Sequence, residues 1–227
     1  MTKLPTTMPG LQDPSAARPA SLARWTPLVT AVLSRIVHAI SWHWLLLFNT
    51  AIGVFALVPI LAPVFMFTGH VRIARFIYAA LGLSCHQLPE RSFFLFGPRL
   101  AYTLDELKLL LGPDVPLRYI GNTAIGFKMA VCQRDVAIYL AMLLAGTVFA
   151  LVRHRLRPLS WRGFAAMCVP MLVDGLGQLL GSWESTPWSR VVSGSLFGVA
   201  WIWLVYPHVE TAMRQVRETL AADEAGR

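Results

Sequence analysis

The sequence predicts an all-α integral membrane protein, a bundle of about five transmembrane helices plus an N-terminal interfacial or sixth helix. Of the 227 residues, 56% are hydrophobic and only 14% are charged, whereas a typical soluble domain has about 25% charged residues. The hydrophobic residues occur in long blocks, and basic residues flank these blocks. This composition excludes disordered, collagen-like and small disulfide-bonded chains, and it disfavours a soluble enzyme.

The net charge of +8 is consistent with a protein that sits in a lipid bilayer. Basic residues at the ends of apolar blocks are suited to contact with lipid headgroups, which is a simpler explanation than nucleic-acid binding. We therefore expect a multi-pass protein of the cell (cytoplasmic) membrane. Its expected partners are the lipid bilayer and other membrane subunits, with no nucleic acid.

Four segments follow from the distribution of apolar and polar residues along the chain. Residues 1–25 are rich in Pro, Thr, Ser and Ala and are expected to form a disordered tail. Residues 26–43 are expected to form an amphipathic helix at the membrane interface. The predicted transmembrane bundle covers residues 44–206, and a charged tail covers residues 207–227.

Five apolar blocks within the bundle are the predicted membrane spans, since a helix rises ~1.5 Å per residue and the bilayer core is ~30 Å thick. They are Trp44–Phe67, Val71–Ser84, Val136–Val152, Phe164–Gly181 and Val191–Tyr206. Residues 85–131 form a connecting segment, in which a capping box beginning at Thr103 predicts a short helix. Glycines in the last two spans, including Gly194 and Gly198, predict close helix packing.

Arginines in short loops predict the orientation of the bundle. The loop over residues 153–163 has four arginines and no acidic residue, which favours the cytoplasmic side. The ends of the predicted spans then place Cys85, Cys132 and Glu184 at the opposite, extracytoplasmic face. We expect these residues to meet at one end of the bundle.

Three polar clusters carry the chemically informative residues. The first is CHQLPERSFF at residues 85–94, the second is CQRD at residues 132–135, and the third is PMLVDGLGQ at residues 170–178, followed by WEST at residues 183–186. Together they resemble domain of unknown function 2085, a family of bacterial and archaeal predicted membrane proteins. The resemblance implies a multi-span membrane protein without an established activity.

The second cluster departs from the family pattern. Asp135 stands where the pattern has a second cysteine, Ala137 replaces a glycine, and Trp183 stands where an arginine is common. An exchange of cysteine for aspartate retains a metal ligand but would break a disulfide. This departure favours metal binding over redox chemistry of a CxxC motif.

Cys85, His86, Cys132 and Asp135 are the candidate metal ligands. Two thiolates, an imidazole and a carboxylate are the donor types that zinc accepts, so zinc is the first candidate metal. Two alternatives stay open. The two cysteines could form a disulfide or exchange thiols with a quinone or a partner protein, or they could be buried packing residues beside a hydrogen-bonded histidine.

Asp174 is the second focus, because a carboxylate within a membrane helix is costly and marks a functional site by default. Gln178 lies four residues further on and shares its helix face. The candidate supporting polar residues are Gln87, Arg91, Arg134, Asp174, Gln178 and Glu184, and Arg91 and Arg134 are the candidate ion-pair partners of Asp174.

No catalytic residue is assigned, and the sequence leaves open whether the protein is an enzyme. It has no phosphate-binding glycine loop, HExxH motif or GxSxG motif. The preferred hypothesis is a multi-pass membrane protein with a Cys/His/Asp polar site at one membrane face that binds a metal such as zinc. The alternatives are a non-enzymatic subunit or assembly factor of a membrane complex, a thiol/disulfide redox protein, and a small transporter.

Overall fold

Six α-helices and a small antiparallel sheet make up the computed structural model, which describes residues 20–153, 155–181 and 183–225. The helices are α1 (Ala20–Phe67), α2 (Val71–Leu81), α3 (Leu104–Leu111), α4 (Gln133–Val152), α5 (Trp161–Leu179) and α6 (Pro187–Ala225). The strands are β1 (Ser92–Leu95), β2 (Gly121–Asn122) and β3 (Gly126–Cys132), and Pro89–Arg91 form a 3₁₀ turn. The described chain is mostly helical, as predicted.

Helix α1 is continuous where the sequence analysis placed three segments. It begins at Ala20, within the predicted tail, and runs through the predicted interfacial helix into the first span without a break. Residues 1–19 of the predicted tail lie outside the described residues. The continuity has a packing reason, because Trp44 Nε1 donates a hydrogen bond of 3.0 Å to Glu210, and Arg217 donates to the backbone carbonyl of Ser41.

Three helices in the described part of the chain are long and apolar enough to cross a membrane. These candidate spans are Leu28–Phe67 in α1, Gln133–Val152, which is the whole of α4, and Pro187–Asp223 in α6. Each exceeds or matches the ~20 residues that a bilayer core requires. The predicted count of about five transmembrane helices is not confirmed.

The other two predicted spans fall on α2 and α5. Helix α2 has 11 residues, a length of only ~16 Å at ~1.5 Å per residue, which is too short for the bilayer core. Helix α5 has 19 residues but contains Arg162 and Asp174, and these charges lower its hydropathy. The prediction of a span here was wrong about its length, because the apolar block runs to Ser84 whereas the helix ends at Leu81.

Helices α4 and α6 run side by side in the same direction and pack closely. A Cβ on Gly194 would lie 2.7 Å from the Arg134 carbonyl oxygen, and one on Gly198 would lie 2.5 Å from the Ile138 carbonyl oxygen. The contacts advance by four residues on both helices, which shows that they are parallel. Gly194 and Gly198 thus allow the close packing that the sequence analysis predicted.

Helix α5 follows α4 and precedes α6 in the chain, and it runs in the opposite direction to both. It packs mainly against α6, and Asp174, near its C-terminal end, contacts Arg134 in the first turn of α4. Helix α5 is therefore antiparallel to α4. The N-terminal ends of α4 and α6 and the C-terminal end of α5 meet at one end of the bundle.

The three-stranded sheet in residues 92–132 is a difference from the all-α prediction. Its strand order is β1-β3-β2, with both pairs antiparallel. The first six residues of β3 are all buried, so the strand lacks the alternation of apolar and polar residues that identifies a strand in a sequence. The capping box at Thr103 and the short helix α3 were predicted and are present.

A tight turn of the chain connects the edge strand β2 to the central strand β3. The Asn122 side chain accepts hydrogen bonds from the backbone N–H groups of Ala124 and Ile125, at 2.9 and 3.0 Å, and so closes the turn between β2 and β3. Gly126 then begins β3 with a φ of +89°, where a Cβ would lie 2.5 Å from the Leu95 carbonyl oxygen. Only glycine fits this position, because it tolerates both the positive φ and the close approach of β1.

We expect Gly126→Ala to destabilise the protein by ~2 kcal/mol or more, because it adds a steric clash to the strain of a positive φ. Gly112→Ala is the matched control, since Gly112 also has a positive φ but open space around it. Thermal unfolding in detergent measures both. Equal losses in the two variants would show that the approach of β1 to Gly126 is not tight.

Candidate functional site

Cys85 lies in a sharply folded turn between α2 and the 3₁₀ turn at Pro89–Arg91. Gln87 has a left-handed backbone, with a φ of +56°, and its buried side chain donates a 2.8 Å hydrogen bond to the Tyr78 carbonyl. The Gln87 carbonyl in turn accepts from the ammonium group of Lys128. These bonds tie the turn to α2 and β3 and fix the Cys85 side chain among buried groups.

Cys132 and Asp135 lie where β3 passes into α4. Cys132 is the N-cap residue of α4, and Asp135 is in its first turn. In the β1–β3 pair, Ser92 lies opposite Cys132. The segment that contains Cys85 is therefore held against the start of α4.

The two thiols and the carboxylate converge. The Sγ atoms of Cys85 and Cys132 and a carboxylate oxygen of Asp135 all lie within 4.8 Å of one another. Cys85 and Cys132 also adjoin a cluster of apolar side chains, among them Met129, Val131 and Val136. The site is thus a small polar group set against an apolar wall.

The two cysteines titrate as a pair. A hydrogen bond from the Cys132 side chain is the main cause that lowers the pKa of Cys85 to about 7, while burial and the charge of Asp135 oppose it. The same hydrogen bond, together with burial and Asp135, raises the pKa of Cys132. Near neutral pH the pair can therefore carry one negative charge, on Cys85, and keep one proton, on Cys132.

Lys128 is a fully buried amine beside this pair. Burial lowers its pKa to about 8, and the charges of Cys85 and Glu90 act in the opposite direction. Its side chain is completely inaccessible to solvent. Lys128 was not identified from the sequence, because a single lysine in an otherwise apolar run gives no indication of its partners.

Two of the predicted site residues lie apart from this group. His86 is exposed, and it is not among the three residues whose ligand atoms converge. His86 is exposed although its neighbours Cys85 and Gln87 are both buried. Glu184 is also exposed, at the turn between α5 and α6. The structure thus brings together three of the four proposed metal ligands.

A second polar network lies at the same end of the bundle. Arg134 and Asp174 form an ion pair between α4 and α5, both with largely buried side chains. Arg190 donates to the Gln133 amide oxygen at 3.0 Å, and Gln133 donates to the Ser92 carbonyl at 3.1 Å. Of the two arginines considered for Asp174, the structure pairs it with Arg134, while Arg91 lies 4.0 Å from Glu90.

Gln133, Arg190 and Ser92 were not identified from the sequence. Each has less than a tenth of its surface exposed, yet a glutamine or arginine at the start of a membrane helix usually contacts lipid headgroups. The sequence did offer one indication for Gln133, because it lies between two candidate site residues, Cys132 and Arg134. Their role follows only from the contacts between segments that are far apart in the chain.

Comparison with known proteins agrees with the predicted resemblance. Residues 123–204 match the family described as predicted membrane protein (DUF2085). The resemblance to this family is confirmed. The matched segment contains Cys132 and Asp135 as well as Arg134, Asp174 and Arg190.

The chain is similar to one curated archaeal relative as well. The chain is 29% identical over 162 residues to the uncharacterized protein MJ1492 of Methanocaldococcus jannaschii, an alignment that covers 68% of this chain and 85% of the relative. No solved structure matches this chain.

We expect Cys85 to ionise with a midpoint near pH 7 in chelator-treated protein, so that its thiolate is lost below that pH. Cys132→Ala should move this midpoint up, toward the ordinary value of ~8.5, because the main hydrogen bond to the thiolate is gone. The ultraviolet absorbance of the thiolate measures the titration, with Cys85→Ser as the blank. Cys168→Ser is the control and should leave the midpoint unchanged; an identical midpoint in Cys132→Ala would disprove the coupling.

Proposed function

We propose that this protein binds a transition metal, zinc first, through Cys85, Cys132 and Asp135 at one face of the membrane. The observation that carries the proposal is the convergence of the two thiols and the carboxylate within 4.8 Å of one another. Thiolate and carboxylate are both established zinc ligands. These donors come from two segments that are more than 40 residues apart in the chain.

The spacing of the donors suits a zinc ion after a small contraction. With Zn–S bonds of ~2.3 Å, two tetrahedral sulfur ligands lie ~3.8 Å apart. The donors in the structure are at most 4.8 Å apart, so a shift of about one ångström would bring them to bonding positions. The lowered pKa of Cys85 supports this proposal, because the thiolate is the form that binds metal.

Three protein ligands leave a fourth position for water or another ligand, which is the pattern of catalytic rather than structural zinc. The exposed His86 is not needed for this arrangement. The site would therefore hold a metal that is able to bind a further molecule at the membrane surface.

A thiol/disulfide redox function is the second candidate, and the hydrogen-bonded pair of cysteines favours it. Cys85 has the lowered pKa of an attacking thiol, and Cys132 is its adjacent partner. Oxidation of the pair would form one disulfide and release two protons and two electrons to a partner disulfide or a quinone. Asp135 has no role in that reaction, and this difference separates the two candidates.

We further propose that the protein is a multi-pass protein of the cell membrane in which α1, α4, α5 and α6 cross and α2 stays at the face of the site. Since α4 and α6 are parallel, the chain between them has to return across the bilayer through α5. The arginine-rich loop between α4 and α5 and the C-terminal end of α6 then lie on the opposite face. Arginine-rich short loops favour the cytoplasm, and this supports a metal site on the outer face.

We expect purified protein to contain about one zinc ion per chain by elemental analysis, since three converging donors form one site. Asp135→Ala and Cys132→Ser should each lose most of it, because two remaining protein ligands hold zinc weakly. His86→Ala is the matched control and should retain the metal, since His86 lies outside the group.

Three results would decide against this assignment. Metal retained in both Asp135→Ala and Cys132→Ser would place it elsewhere in the protein. Metal lost in His86→Ala would show that the histidine is a ligand. Protein free of metal, in which mass spectrometry finds a bond between Cys85 and Cys132, would favour the redox function.

The proposed topology places the C-terminal end of α6 in the cytoplasm. We therefore expect green fluorescent protein fused there to fluoresce in a bacterial host, because this reporter folds only in the cytoplasm. Alkaline phosphatase inserted after Asp114, an exposed position in the segment beside the site, should be active, because it requires export. Both reporters should give the reverse result if the site faces the cytoplasm. A fluorescent C-terminal fusion together with an inactive phosphatase after Asp114, or the opposite pair of results in which both reporters indicate export, would contradict the three crossings of α4, α5 and α6.

A further inference from the structure

Helix α1 carries a seven-residue repeat of apolar side chains. When Leu33 is taken as the first position of a heptad, the first positions are Leu33, Ile40, Leu47, Val54 and Leu61, and the fourth positions are Val29, Ile36, His43, Thr50 and Leu57. We call these ten residues the α1 seam. Apolar first and fourth positions that recur over several heptads form the contact surface of a coiled coil.

The α1 seam faces away from the rest of the protein. All ten of its residues are exposed, and each of the eight apolar residues exposes between 41% and 54% of its surface. The buried residues of α1 lie on the opposite side of the helix, and they include Ser41, Leu45, Ala56 and Ala62. That opposite side packs against α2, α4 and α6. Within the described part of the chain, no element covers the seam.

The first half of the seam lies beside the C-terminal part of α6. The candidate span in α1 has 40 residues, which is a length of ~60 Å against a bilayer core of ~30 Å. Arg217 of α6 donates a hydrogen bond to the Ser41 carbonyl, and Leu220 lines a small cleft together with His38. Residues 29–40 of α1 therefore lie at the level of the charged end of α6.

This charged end cannot lie in the bilayer core. Arg214 and Glu218 form an ion pair in which the side chains are 65% and 69% exposed, and charges at lipid depth are costly. With α1 and α6 crossing the membrane as proposed above, residues 29–40 project beyond the core. Helix α1 has no glycine or proline from Leu28 to Ile52, and so it has no kink that would lay this half along the membrane surface. A continuous apolar stripe outside the bilayer marks an interaction surface.

The sequence around the seam favours a second copy of this chain as the partner. The fifth and seventh heptad positions, which flank the seam, carry no charged residue between Thr30 and Ile60. Charges at these positions select a different partner or repel a like chain. Two copies with the same orientation in one membrane are related by a two-fold axis along the membrane normal, so their α1 helices run parallel and each seam position faces itself.

We propose that two copies of this protein associate through α1, with the two seams forming a parallel, left-handed coiled coil. Burial of the eight apolar side chains on both copies removes on the order of 1,000 Å² of exposed surface, at roughly 60 Å² for each half-exposed side chain. This area reaches the size of a specific interface. His43 and Thr50 place polar side chains at two neighbouring fourth positions, which fix the register. The proposal uses the crossings of α1 and α6 proposed above, but the seam shares no residue with the metal site.

Native mass spectrometry of the full chain, released from lipid nanodiscs, measures the association. We expect the mass of two chains. Leu33→Lys should weaken the association ~10-fold or more, because it replaces two apolar contacts with two like charges that face each other. Leu33 is exposed in the single chain, so this variant should fold as the wild type does. His38→Lys is the matched control and should stay dimeric, since His38 is exposed on the side of α1 opposite the seam.

Disulfide cross-linking in intact membranes gives an independent measure. Under a mild oxidant, Ile36→Cys should form a covalent dimer and His38→Cys should not. The wild type with its native cysteines is the blank. Reaction of Ile36→Cys with a charged maleimide, in the Leu33→Lys variant, tests separately whether this part of α1 lies outside the bilayer.

Three results would overturn the pairing of two copies through α1. Equal cross-linking of Ile36→Cys and His38→Cys would show random collision. Association of undiminished strength in Leu33→Lys would place the contact elsewhere in the protein. A wild type that is a single chain without cross-links, or that is bound to a different protein, would show that another molecule covers the seam.

Discussion

The antiparallel pairing of β1 with β3 is the constraint on which both polar sites depend. It places Ser92 opposite Cys132, and the Gln133 side chain then reaches back to the Ser92 carbonyl. On one side of this contact, Cys85 is brought to Cys132 and Asp135. On the other side, the same segment presents the Glu90 carbonyl to Arg190 at 3.4 Å. A short sheet thus joins the metal-ligand candidates to the helix bundle.

Both polar sites also depend on the helix bundle, in which three helix ends meet at one place. Gly194 and Gly198 allow α6 to lie against α4 in parallel, so both helices begin at the same end of the bundle. Helix α5 has to return the chain between them, and this return carries Asp174 to Arg134. Both polar sites consequently lie at one end of the helix bundle.

The sequence predicted the motif residues better than the elements that hold them. Cys85, Cys132 and Asp135 were found because their residue types suit a metal, and their convergence followed from the expected order of spans. His86 was included because an imidazole suits zinc, but its side chain is exposed and is not among the ligand groups that converge. Strand β3 was missed because its residues are almost all buried. Lys128 and Arg190 were missed because their partners lie in distant segments.

X-ray absorption at the zinc edge of purified protein tests the central claim most directly. The account predicts two sulfur neighbours at ~2.3 Å and oxygen neighbours at ~2.0 Å, as expected for two cysteine ligands, Asp135 and one further oxygen ligand. A shell of nitrogen and oxygen without sulfur, or one with a single sulfur, would contradict the assignment of Cys85 and Cys132 as paired ligands.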